Sequence, residues 1–96
     1  MMIKHIVFFK LKEPTVDNIE RTVQVLRDMQ GKIPQLRSLE VGSDIIRSER
    51  SYDLALISEV ETLEDLQAYQ VHPVHQEVIR YINTVKDHSI SVDYEV

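Results

Sequence analysis

The sequence runs to 96 residues with a formal charge of −5, set by 16 acidic against 11 basic side chains, and contains no cysteine. That length supports one domain with a modest core, and the missing thiols remove disulfides, thiolate metal sites and cysteine nucleophiles together, as fits a reducing, cytoplasmic setting. The acidic balance argues against nucleic acid as a partner, because phosphate contacts need clustered Lys and Arg.

Residues 1–12 open the chain as a strand with apolar side chains on both parities. Strand side chains alternate between two faces, so this strand asks for cover on both. Lys4, Lys10 and Lys12 confine that demand to residues 5–9, where His5 is the one polar group. A leader peptide is not expected, since Lys10 interrupts the apolar run and no small-residue cleavage site follows. No stretch is long and apolar enough to make the membrane a partner.

After Glu13-Pro14, Thr15 caps a helix expected over residues 16–30, with Ile19, Val23, Leu26 and Met29 at helical spacing and Gly31 as its left-handed stop. Residues 36–46 read as a second strand, 47–51 as a polar connection and 52–60 as a third strand, again apolar on both parities. Thr62 caps a short helix to about residue 70, and His72-Pro73 restarts the helix, because Pro suits a first helical position. Val74, Val78, Ile82 and Val85 give it an apolar stripe. Residues 88–94 close the chain as a strand with Ile90, Val92 and Tyr94 on one face. His88 is placed near a helix C-terminus, where a cationic imidazole favours the dipole.

The order strand, helix, strand, strand, helix, strand specifies an α+β, ferredoxin-like βαββαβ fold, a four-stranded antiparallel sheet with helices on one face. The other face then needs a second layer, and in so short a chain the natural supplier is another copy. Ile6, Phe8 and Ile57 would meet their equivalents in that homodimer. RNA-recognition modules share the open face but require stacking aromatics and basic surroundings, whereas residues 52–57 are aliphatic and acidic.

Four segments carry a family resemblance: Ile3-Lys4-His5-Ile6-Val7-Phe8-Phe9-Lys10-Leu11-Lys12, Arg50-Ser51-Tyr52-Asp53-Leu54-Ala55-Leu56, Ala68-Tyr69-Gln70-Val71-His72-Pro73-Val74-His75 and Val92-Asp93-Tyr94. In order, and over essentially the whole chain, they resemble the stress-responsive A/B barrel (Dabb) family. The resemblance implies a dimeric α/β barrel. One plant branch of the family contains polyketide cyclases that perform an intramolecular aldol condensation without a cofactor, and similarity to that branch implies catalytic roles for His5, His75 and Tyr69. Leu26 and Leu54 stand where the branch has a Tyr and a His. The cavity therefore stays apolar, and the same substrate is not expected.

Taken by themselves, His5 and His75 would face each other between sheet and second helix, with the Tyr69 hydroxyl completing a short hydrogen-bond chain. Such a group can remove a proton alpha to a carbonyl while the phenol donates to the developing enolate, or it can be a satisfied buried cluster that fixes packing. The expected pocket walls are Leu26, Leu54, Val7 and Phe9. Three functions stay open: a homodimer that binds a small apolar carbonyl-type ligand, a cofactor-free cyclase, isomerase or monooxygenase-like enzyme using His5, His75 and Tyr69, or a structural module that docks on another protein through the loop from Arg47 to Arg50. His72 and His75 lie three apart but lack a third clear ligand, so neither a metal nor another cofactor is expected. His72 is expected to cap or shape the turn at Pro73.

Overall fold

The computed structural model describes residues 2–96; Met1, the first residue of the expected opening strand, lies outside them. The elements run β1 (Ile3–Leu11), α1 (Val16–Arg27), β2 (Ser38–Ser43), β3 (Leu54–Val60), α2 (Leu63–Val71), α3 (Pro73–Val85) and β4 (Lys86–Glu95). The strands form one antiparallel sheet in the order β2-β3-β1-β4, the ferredoxin-like arrangement.

Local chemistry sets the boundaries. Thr15 Oγ1 accepts the Asn18 N–H at 3.2 Å and starts α1. The helix ends at Arg27, short of residue 30, because Met29 and Gln30 bond back only three residues, to Leu26 and Arg27, and tighten the chain into turns. Gly31 adopts φ +81° beyond those turns. β2 is shorter than residues 36–46. The Leu36 N–H turns back to the Ile33 carbonyl at one end, and the Asp44 carboxylate takes the Arg47 N–H at the other. Thr62 caps α2 through the Asp65 N–H at 3.0 Å. His72 caps α3, its Nδ1 accepting the Val74 N–H at 3.1 Å, and Pro73 occupies the first turn.

The closing strand begins at Lys86, two residues before the expected start at His88. The chain passes directly from α3 into β4, which places His88 in a strand, with its ring edge-on to Tyr52 at 5.5 Å.

The two faces of β1 carry different chemistry. Ile3, His5, Val7 and Phe9 lie opposite Val60, Ser58, Leu56 and Leu54 of β3 on the helix-covered face. There Leu26, Met29, Tyr69 and Ile82 complete a core with almost no exposed surface. On the other face Ile6 pairs with Ile57 and Val92, and Phe8 with Ala55 and Ile90. This second face has no helices over it, and Phe8 remains 41% exposed. On the helix side β4 presents Ser89, Ser91 and Asp93, level with Phe9, Val7 and His5. The fourth strand thus adds polar groups at the margin of an apolar core.

Candidate functional site

His5 belongs to the odd parity of β1 and is buried beneath the helices. The antiparallel register sets Asp93 of β4 directly beside it, and the His5 Nδ1 engages the Asp93 carboxylate. His75 stands in the first turn of α3. Its Nδ1 lies 2.9 Å from the Gln70 carbonyl, one of the α2 C-terminal acceptors left without a helical partner by the break at Pro73. A carbonyl only accepts, so the His75 Nδ1 carries the proton and Nε2 keeps its lone pair. With a carboxylate oxygen as the acceptor at its Nδ1, His5 takes the same tautomer.

Tyr69 comes from the buried side of α2 and lies close to both imidazoles. Its ring centroid is 4.6 Å from that of His75 and 6.1 Å, edge-on, from that of His5. Burial pushes the phenol pKa up to about 12, an effect the Ser58 hydroxyl opposes. Even so, neither the Tyr69 nor the Ser58 hydroxyl reaches a hydrogen-bonding geometry with any partner among the described residues. The phenol is therefore protonated across the physiological range. Burial pushes the His75 pKa down, the Gln70 carbonyl opposes that, and the nearby His5 and His72 reinforce it. A neutral imidazole is the result.

A cavity of about 390 Å³ opens between sheet, α1 and α3. Val7, Phe9, Leu26, Leu56 and Ile82 make its apolar walls, and both His5 and His75 line it. Its polar side is formed by Gln70, Gln76, Lys86, Ser89 and Ser91.

Of the residues singled out from sequence, His5, His75, Val7, Phe9 and Leu26 are brought together here. Tyr69 is close to both histidines but fully buried, and it does not line the cavity. Leu54 is a correction: it pairs with Phe9 nearer the far end of β3, so Leu56, opposite Val7, takes the expected place in the wall. Asp93 and Ser58 had not been singled out. Their signal was the register, because both sit directly across from His5 on the flanking strands.

Among the described residues no group of three or more His, Asp or Glu is arranged to hold a metal ion. No described helix is long and apolar enough to cross a membrane.

The model of the stress responsive A/B barrel domain matches residues 3–96. An uncharacterized protein of Streptomyces coelicolor is 35% identical over 78% of this chain and 80% of its own length. A stress-response A/B barrel domain-containing protein of Arabidopsis thaliana is 28% identical over 97% of this chain, which spans 46% of that protein's length. The crystal structure of a dimeric protein of unknown function and ferredoxin-like fold from Bacteroides fragilis matches with a TM-score of 0.85 at 30% identity. That match covers 99% of this chain and 96% of the other.

Proposed function

Since the chain belongs to the stress responsive A/B barrel domain family, we propose that it works as a homodimer whose subunits each bind a small, largely apolar carbonyl compound in the histidine-lined cavity. One observation carries this reading. Both imidazoles commit Nδ1 to an acceptor, Asp93 or the Gln70 carbonyl, which leaves Nε2 of each without a partner among the described residues, in side chains that line an apolar space. Greasy walls with a few fixed polar anchors are the usual make-up of a small-molecule site. A bound carbonyl oxygen is itself an acceptor, so it meets an Nε2 lone pair through one water that donates to both, while the flat body of the ligand lies against Val7, Leu26 and Leu56.

Acetophenone is a suitable probe. Ligand-observed NMR should detect its binding to the wild-type protein, and His75→Ala should weaken it by about 1 to 3 kcal/mol, the effect of losing one buried polar partner. Equal affinity in the wild type, His5→Ala and His75→Ala would refute the assignment of the anchors.

The neutral state of His75 favours a second reading, catalysis by proton transfer. Its Nε2 removes a proton from the carbon alpha to the carbonyl, the C–H electron pair moves to the oxygen as an enolate, and reprotonation at carbon restores the ketone. Exchange of the acetophenone methyl protons for deuterium in heavy water reports this step. His75→Ala should slow the exchange by roughly 10² to 10⁴ if it operates. No exchange above the buffer rate leaves binding alone.

A further inference from the structure

Met29 and Val78 each border two spaces. On one side lies the histidine cavity. On the other, between α1 and α3, lies a groove of about 520 Å³ with Val25 and Val74 in its floor and Asp28, Lys32 and Glu77 at its rim. Side chains alone therefore separate the cavity from the groove at this point.

The two dividing side chains differ in stiffness. Val78 is β-branched and sits within α3, where one χ1 rotamer dominates. Met29 follows α1 in a turn whose backbone is held by bonds from Met29 N–H to the Leu26 carbonyl at 3.2 Å and from Lys32 N–H to the Met29 carbonyl at 3.1 Å. Its backbone is tied, but its unbranched thioether turns about several bonds and adapts to irregular space. Met29 is thus the more adaptable of the two, although it is only 1% exposed.

We propose that the groove between α1 and α3 continues the cavity and receives the unbranched apolar tail of a carbonyl-headed ligand, admitted past Met29. The inference rests on the carbonyl-binding reading of the cavity. At about 390 Å³ the cavity stands near the lower end of small-molecule sites, and the space beyond it is larger and floored by valines. The charged rim of Asp28, Lys32 and Glu77 leaves the end of such a tail at the solvent boundary. A ligand with a polar head and a straight hydrocarbon chain fits this sequence of surfaces better than a compact bicyclic one.

The straight-chain methyl ketones from 2-butanone to 2-undecanone test this by competition against acetophenone. In the wild type, affinity should rise about three- to fourfold with each added methylene and continue through the longer members, as the tail enters apolar surroundings. Val25→Glu places a charge in the groove floor without touching the cavity. It should abolish the rise among the long ketones and leave 2-butanone unchanged. Val74→Glu, from the facing helix, should do the same, so a folding defect in one variant does not decide the result. A plateau at the short ketones in the wild type, or the same long-chain rise in the wild type and both variants, would overturn the inference while the cavity reading stands. Failure of every ketone, acetophenone included, overturns the cavity reading and the extension with it.

Discussion

His75 shows how one side chain is placed and tuned at once. The break between α2 and α3 frees the Gln70 carbonyl, the imidazole satisfies it, and the same burial that shelters the bond disfavours the charged ring. Linkage gives this a measurable sign. Above the ordinary value of 6.5, the ring is neutral in both folded and unfolded chains, so the group adds no pH dependence. As pH falls through 6.5 the unfolded chain takes up the proton first, and stability declines until the lower folded pKa is passed. Urea midpoints measured from pH 8 to pH 5 should fall more steeply in the wild type than in His75→Gln, whose amide can still donate to Gln70. Parallel curves would show that burial of His75 contributes nothing. The imidazoles were legible in the sequence because each sits beside a strong element signal, the opening strand or the His-Pro restart. Asp93 was not, because its role depends on which residue of β4 lies across from His5, and pairing register is invisible in one strand read alone. Leu54 and Leu56 share a parity for the same reason, so periodicity could not tell which of them reaches the cavity.

At the scale of elements, side chains at the strand ends decide where pairing stops. Asp53 is 4% exposed, immediately before β3, and its carboxylate accepts the Leu11 N–H at 2.7 Å and the Arg47 guanidinium at 2.8 Å. Those bonds join the start of β3, the end of β1 and the β2–β3 connection, where Arg47 itself adopts a left-handed φ of 56°. Replacing Asp53 by Ala leaves the Leu11 amide without its partner and should cost about 1.5 to 3 kcal/mol in chemical denaturation. The half-exposed Arg47 adds little of its own, so Arg47→Ala should cost clearly less than the Asp53 replacement. Equal losses for the two variants would mean that the ion pair, rather than the amide bond, ties the strands together. The existence and order of the elements followed from hydrophobic period and capping residues, which are local. Their ends did not, because at Leu36, Asp44 and Asp53 the chain leaves the sheet through turns and side-chain bonds that the apolar period does not register. The start of β4 was missed by the same logic: nothing in the neighbours of His88 marks that α3 runs into β4 without a loop.

Across the whole molecule, the sheet has helices on one side and apolar side chains on both. Ile6, Phe8, Ile57, Ile90 and Val92 form a continuous band in register across β3, β1 and β4, and a cleft of about 430 Å³ lies beside it between Phe8, Tyr52 and Ile57. Phe8 is 41%, Ile90 49% and Val92 61% exposed, a concentration of large apolar groups that a solitary subunit would leave in water. Burying this band against its copy offers on the order of 10 kcal/mol per subunit before the loss of rotational and translational freedom, enough to hold a dimer at micromolar concentration. The contact would be isologous, with β1 of each subunit at its centre and Lys4 and Lys10 toward the two ends of that strand. Phe8→Glu puts a carboxylate at the middle, where desolvation opposes association by several kcal/mol, yet leaves the helix-covered core untouched. Sedimentation velocity should give a dimer for the wild type and a monomer for Phe8→Glu, with the same far-ultraviolet circular dichroism. A wild-type chain that sediments as a monomer at micromolar concentration, or a Phe8→Glu variant that stays dimeric, would rule out this face as the interface.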